Sequence, residues 1–573
     1  MPAVELAVLL GLLVAAVAIA IARAARGSLL ARIRAAWGRP IERTRKLDAM
    51  AESHRSRASR PGAAGSLDDR TWADLDLDAV FVALDRTGST LGQHALYHRL
   101  RTAPIAGSLD VFEALVNRMS ADVPSRERAQ MALARLQDPH GYDLWWLARP
   151  DAIDTRPWDA IFPALAAASL SLLLLAPFVP AVVPALLAML VVNVAVRYAT
   201  DPRIGAVAAA FRQLAPVIAT AESLRLLSGD DVEAVVGPLR ASVPRLRRLK
   251  TIARWVSGDP FMLSVSPHWL ATLVGDLVNA AYEYFNLLFL LDANGVYFGA
   301  RDLRAEGPSL LRVVAAMGEV DAAISVASYR AGRHDWCRPR FGPPGTSAVL
   351  TDVRHPLLTD AVANTITLSP SRGVLVTGSN MSGKSTFLRT VGVTAVLAQT
   401  IHTCLATEYE APILKVRSCI GRADDLVAGK SYYIVEVEAV LGLVRASADR
   451  DPHLFLMDEL FRGTNAVERI SAGQAVLREL IGGTGPGRHV AVAATHDGEL
   501  VELLRETFDA YHFGDAVGAE GLVFDHRLQP GPATTRNAIA LLRLHGAPER
   551  VLSRALTCAA DLDRQRGTTL AGR

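Results

Sequence analysis

The sequence predicts a multidomain chain: an N-terminal transmembrane helix, an all-α domain interrupted by a transmembrane helical hairpin, and a C-terminal α/β domain of the P-loop NTPase type. Three observations carry this reading. Two uncharged apolar runs, Leu6–Ala22 and Ile161–Val196, hold the excess that lifts mean hydropathy to +0.22 in a 573-residue chain that is 50% apolar. From about 67 to 158, and again from about 200 to 332, the pattern is helical and strand signals are almost absent. From Ser347 onward, short β-rich runs alternate with helices, and Gly378–Ser385 fits G-x-x-x-x-G-K-[ST].

The first run, extended by Pro2 to Val4, is just long enough to cross a bilayer. A cleaved signal peptide would carry basic residues before the apolar stretch, yet Met1 to Glu5 has none. The basic residues follow it, from Arg23 through Lys46, which places the N-terminus outside and the remainder in the cytoplasm. Residues 1–24 are thus expected to anchor the chain in an inner or plasma membrane, and 25–66 to form a basic linker near anionic headgroups or in solvent.

Asp159 and Arg197 bracket the second run. It is too long for one span and suits two short ones, with Pro177, Pro180 and Pro184 near the turn. Residues 158–198 therefore read as a transmembrane hairpin, with a buried helical pair as the competing reading. On either side, 67–157 and 199–335 read as two parts of one helical domain. Within the second part, Arg245, Arg247, Arg248, Lys250 and Arg254 form a basic run: a solvated helix face, or a contact for nucleic acid or lipid. The net charge of +3 excludes a global electrostatic attraction to nucleic acid. Cys337, Cys404, Cys419 and Cys558 lack metal-ligand spacing and read as reduced thiols.

Residues 336–573 carry the chemistry. Val374 to Thr377 is a strand signal, Gly378, Ser379, Asn380, Met381, Ser382 and Gly383 form a glycine-bounded loop, and Lys384, Ser385 and Thr386 open a helix. Backbone N–H groups of such a loop turn toward phosphates, and the helix N-terminus adds a favourable dipole. Lys384 is expected on the β- and γ-phosphates of ATP, and Ser385 on Mg²⁺. Leu454 to Glu459 is an apolar strand ending in two carboxylates. Side chains alternate along a strand, so Asp458 is expected to hold Mg²⁺ while Glu459 polarises the attacking water. A third apolar strand, His489 to Ala494, ends in Thr495 and His496, placing His496 to sense the γ-phosphate.

These residues resemble the MutS family of mismatch-repair ATPases. Thr377–Thr386 follows the family's TGPNMxGKST with Ser379 in place of Pro; Asp458–Asn465 resembles DExGRGTS; Ala494-Thr-His496 resembles its ATH switch; Arg354-His-Pro356 matches its RHP. Asp424-Asp-Leu through Gly429-Lys-Ser431 and Glu436 resembles a segment that, in the family, offers a serine to the nucleotide of the partner subunit. The resemblance therefore implies a homodimer in which Ser431 acts in trans, with Tyr432 and Tyr433 departing from the family's Thr and Phe. Gly531 onward, with Asn537 and Gly546-Ala-Pro548, resembles the dimerisation segment. Leu84-Asp-Arg-Thr, Gly92 and Leu100, and Glu319-Val-Asp321 to Ala327, resemble the start and close of the family's lever domain.

No counterpart of the family's mismatch-reading domain, connector or DNA clamp is expected in this sequence, where the apolar segments stand near those places. Two readings follow: a membrane-anchored ATPase still touching double-stranded DNA, or one that drives its own transmembrane helices or a protein partner without DNA.

Overall fold

The computed structural model describes residues 2–59, 65–103, 107–138, 144–148, 153, 156–257, 280–370, 372–379, 381–420, 432–482, 489–518, 521–533 and 538–571. Contacts divide the chain into two units. One comprises residues 1–63, 84–99 and 105–334; the other comprises 64–83, 100–104 and 335–573.

The first unit is helical. Its first helix, α1 (Pro2–Ala36), continues from the apolar run into the basic stretch without a break, because Ala, Leu and Arg are all strong helix formers. With α2 (Leu47–Ala58), most of 25–66 is therefore helix, not an irregular linker. Three of its arginines, Arg34, Arg43 and Arg45, are structural anchors. Arg34 makes a two-pronged ion pair with Glu127, at 2.7 and 2.9 Å. Arg43 and Arg45 both bind the buried Asp85. Burial opposes ionisation of Asp85, but Arg43, Thr87 and Arg45 outweigh it and hold its carboxyl below the usual range.

Short helices α3 (Asp69–Asp74) and α4 (Leu77–Leu84) precede α5 (Thr90–Arg101), α6 (Ser108–Ala121) and α7 (Val123–Leu133). The second apolar run becomes α8 (Ile161–Leu175) and the opening of α9 (Val183–Leu224), with Pro177 and Pro180 in the connection. By length and composition, Pro157–Leu175 and Pro180–Thr200 are long and apolar enough to cross a membrane, and only 17% and 6% of them is buried. A third such stretch, Pro202–Leu224, is 71% buried within the helical unit. Asn193, inside the apolar run, donates to Ser169 Oγ at 2.9 Å and to the Leu288 carbonyl at 2.7 Å, tying α9 to α8 by a polar contact typical of apolar hairpins. The expected boundary at 198 is not a break: α9 runs through it as one 42-residue helix, with Pro202 and Pro216 inside.

Helices α10 (Glu233–Ser242), α11 (Arg247–Ser257) and α12 (Leu291–Ala331) complete the unit. The basic run is partly consumed internally: Arg248 pairs with Asp302 at 2.9 Å, and Lys250 pairs with Glu222. On α12, Gly299 lies against the Phe211 ring and Gly295 against Val256, so glycine sets how closely α12 approaches α9 and α11. Asp321 is fully buried and accepts from the N–H groups of Gly88 and Ser89 at 2.7 and 2.8 Å, and from Ser89 Oγ.

The second unit is α/β. A four-stranded sheet has the order β1 (Arg340–Gly342), β5 (Glu408–Pro412), β2 (Ala348–Val353), β3 (Asn364–Leu368). A six-stranded sheet has the order β10 (Gly521–Pro530), β9 (Phe508–Gly518), β4 (Gly373–Thr377), β8 (Val490–Ala494), β7 (His453–Asp458), β6 (Lys415–Cys419). All neighbours in it are parallel except β9 and β10. Helix α13 (Lys384–Ile401) follows β4. The helices α14 (Tyr432–Ala446), α15 (Ala466–Gly482) and α16 (Gly498–Leu504) bury Val440, Leu443, Leu477, Leu480, Leu500 and Leu504 against Phe455, Met457, Ala491 and Ala493 of the sheet. Strands buried on both faces explain the unbroken apolar runs. Two further helices, α17 (Ala538–Leu544) and α18 (Glu549–Ala571), close the chain.

Residues 64–83 group with this α/β unit, although the sequence assigned 67–83 to the helical one. The Asp74 carboxylate accepts from Ser418 Oγ at 2.8 Å and Ile420 N–H at 2.9 Å, and Arg389 donates to the Asp74 carbonyl. Leu75 packs over Gly392 of α13.

Candidate functional site

The central strands β4, β8 and β7 end level with one another: Val376 pairs with Ala494, and Ala494 with Asp458. Their C-terminal ends therefore share one crevice, the usual ligand position in a parallel sheet. Into it open the loop 378–383, the carboxylates Asp458 and Glu459, and His496.

Loop geometry demands glycine at both ends. Gly378 has φ 138°, and a Cβ there would lie 2.9 Å from Ser382 Oγ and 3.0 Å from the Phe513 carbonyl. Gly383, with φ 115°, caps α13. Lys384, buried at the helix start, donates to the carbonyls of Gly378 at 2.9 Å and Ser379 at 2.8 Å, so the loop is folded over its own lysine. Met381 stands 84% exposed at the loop tip. Ser379 Oγ and Ser382 Oγ are buried without a hydrogen-bond partner among the described residues, and Thr386 lies in the first turn of α13.

The two carboxylates part because β7 ends at Asp458 and the backbone turns left-handed at Glu459, not by alternation along a strand. Asp458 meets the Ser385 hydroxyl through Oδ2, while its Oδ1 is buried and without a hydrogen-bond partner among the described residues. Burial and the neighbouring Glu459 push the Asp458 carboxyl above the usual range, against the opposing pull of Ser385 and Lys384. A buried carboxylate oxygen beside a serine hydroxyl is a fitting donor set for a hard cation such as Mg²⁺. Glu459 has a left-handed backbone, φ 51°, and its N–H donates to the Ala494 carbonyl. Its side chain lies between two bases: Oε1 is 2.6 Å from His496 Nε2, and Oε2 is 2.5 Å from Arg462 Nη1. His496 Nε2 is also 3.3 Å from Lys384 Nζ. Lys384, Glu459 and His496, singled out separately in the sequence, thus form one connected cluster.

Motif reading gave no role to four further residues. Glu436 on α14 is buried and accepts from Phe461 N–H at 2.6 Å, fixing the chain just after the carboxylate pair. Arg462 holds Glu459, a partner that its spacing of three hinted at. His526, on the β10 strand, donates from Nδ1 to the Ser382 carbonyl at 3.0 Å and braces the loop from the far side. No local signal links it to a loop more than a hundred residues away. Arg469 clamps Asp497, next to His496, through two contacts at 2.9 and 2.7 Å. Asn380 and Ser431, with the segment 421–431 that carries the trans expectation, lie outside the described residues.

Comparison with known proteins gives the site a context. Residues 374–563 match the family model described as MutS domain V. The chain is 33% identical over 269 residues to DNA mismatch repair protein MutS 2 of Halobacterium salinarum, covering 45% of this chain and 30% of that protein. It is 34% identical over 256 residues to DNA mismatch repair protein MutS of Thermus thermophilus, covering 44% and 30%, and 32% identical over 277 residues to that of Sorangium cellulosum, covering 46% and 29%. The matched region thus spans about 30% of the length of these relatives. Both findings support MutS-family membership.

Proposed function

We propose that this chain is a membrane-anchored, MutS-type ATPase that hydrolyses ATP with Mg²⁺ as a homodimer and couples the cycle to its helical unit. The cluster of Lys384, Ser385, Asp458, Glu459 and His496 at the ends of three adjacent strands carries the reading.

The chemistry follows from what each group touches. Lys384 would exchange the Gly378 and Ser379 carbonyls for β- and γ-phosphate oxygens, releasing the loop so that its N–H groups face the phosphates. Ser385 and Asp458 would hold Mg²⁺, which when bound neutralises phosphate charge. His496 is held by Glu459; a γ-phosphate drawing His496 away would leave the Glu459 carboxylate to orient water. The exposed Leu542, Leu544, Val551 and Leu556 on α17 and α18 supply an apolar surface of the kind a second copy would cover.

Removing a preorganised charge at the transition state costs about 10²-fold or more. Lys384→Ala and Glu459→Gln should therefore each abolish most turnover of the purified full-length chain, while Glu459→Gln still retains ATP. Unchanged turnover in Glu459→Gln would remove that residue as the water-orienting base.

A second reading, in which the cycle drives the membrane helices without DNA, is favoured by one observation. Helix α9 is continuous from the exposed apolar stretch into the packed helical unit, which gives the cycle one element through which to reach those helices.

A further inference from the structure

The helical unit forms a half-open cavity of about 1580 Å³ that the ATPase chemistry does not use. It is larger than the roughly 300–1,000 Å³ of an ordinary small-molecule pocket. Its lining is divided by chemistry. Nine arginines reach it, against a single acid, Glu42, among the described lining residues. Arg43 and Arg212 are committed to Asp85 and Asp292. Arg23, Arg26 and Arg32 come from α1 and Arg128 from α7, and these are exposed side chains. Between them the wall is apolar: Leu29 and Ile33 of α1, Ala219 and Leu224 of α9, and Leu226 just beyond it.

Position along the chain matters as much as composition. Ile19, Arg23, Arg26, Leu29 and Ile33 recur at three- and four-residue spacing, so one face of α1 lines the cavity. That face begins within the apolar run Leu6–Ala22 and continues past its end. If the run spans a bilayer, the arginines begin at headgroup depth, where cations meet lipid phosphates.

We propose that this cavity binds an anionic phospholipid of the surrounding bilayer, its phosphate held by Arg26, Arg32 and Arg128, its glycerol end against Leu29, Ile33 and Leu226, and its acyl chains running back past Ile19 into the bilayer. The proposal rests on the membrane reading given above. A mixed apolar and cationic wall in a half-open cleft suits a two-part ligand of this kind; duplex DNA, a rigid polyanion, has no use for the apolar half.

The test uses the full-length chain purified in a neutral detergent. Fluorescent phosphatidylglycerol is titrated in, with phosphatidylcholine of the same acyl chains as the control. Phosphatidylglycerol should bind at least tenfold more tightly and be displaced by its unlabelled form, but not by inorganic phosphate at the same concentration. Arg26→Glu with Arg32→Glu should weaken it tenfold or more, and Lys at both positions should restore most of the affinity. Ala219→Trp, which puts an indole into the apolar wall while leaving every arginine in place, should also weaken it. Equal affinity for the two lipids, binding unaffected by both the charge-reversal and the Ala219→Trp variants, displacement by phosphate alone, or displacement by duplex DNA would each overturn the proposal. Alkaline extraction of membranes from producing cells is read separately. A chain released by that treatment refutes the membrane anchor whatever the lipid titration gives, and a retained chain that does not distinguish the lipids refutes only the cavity.

Discussion

Asp321 shows how one residue joins distant parts of the chain. Its carboxylate gathers two N–H groups and a hydroxyl from residues 88 and 89, more than 200 positions earlier. Burial pushes its pKa up to about 6, the hydrogen bonds from Ser89 and Gly88 only partly opposing this. The folded value lies above the unfolded one, so the group's contribution is fully present below about pH 4 and is lost as pH rises through about 6. A rise from 3.8 to about 6 corresponds to about 3 kcal/mol. Asp321→Asn has no such titration. Its destabilisation relative to the parent should be largest near pH 4 and shrink by pH 7, measured as the difference in urea midpoints. A difference that stays flat across this range would show that Asp321 does not titrate in it. In the α/β unit, Lys384, Asp458 and His496 were legible because each stands at the end of an apolar strand or beside a glycine turn. His526 was not, because its role is created by sheet order alone.

At the level of elements, apolar runs flanked by turns located β4, β7 and β8 to within a residue, since strands buried on both faces leave no other pattern. Helix ends were less legible. Basic charge between 25 and 66 read as linker, yet Arg34, Arg43 and Arg45 find buried or half-buried carboxylates that only tertiary structure brings near. Residues 67–83 read as part of the helical domain, and their attachment to the α/β unit depends on Asp74 reaching Ser418. The crossing of α9 and α12 depends on a glycine. Gly→Ala within a helix ordinarily stabilises by about 0.5–1 kcal/mol. At Gly299, however, a Cβ would sit 2.2 Å from Phe211 Cε1. Gly299→Ala should therefore destabilise by about 1–3 kcal/mol, and Phe211→Leu should recover part of the loss in the double variant. A stabilised Gly299→Ala would mean that the helices are not in this contact.

For the whole molecule, the question is whether the proposed engine works alone or in pairs, and on what. If a residue supplied by a second copy completes each site, turnover per chain should rise with protein concentration and reach a plateau. Rates proportional to concentration throughout would count against a shared site. Duplex DNA separates the two readings of function. An ATPase that grips DNA through charge should be stimulated by it, with the effect falling steeply between about 50 and 200 mM salt. Indifference to DNA at low salt would leave the membrane helices or a protein as the load.

Helix α9 also has a phase. At about 1.5 Å per residue its 42 residues reach about 63 Å, and each residue turns the helix by about 100°. Near its start Asn193 must face Ser169, and further along Phe211 must face Gly299. The two contacts fix the rotation of one end against the other, as the teeth of two gears on a shaft are fixed by its keyway. One residue inserted after Thr200 would turn one contact about 100° away from its partner. Seven residues make nearly two full turns, within about 20° of the original setting. The single insertion should therefore lower the melting temperature of the full-length chain more than the sevenfold longer one does. Seven residues also lengthen the helix by about 10.5 Å, so equal losses would mean that its phase carries no measurable part of the stability.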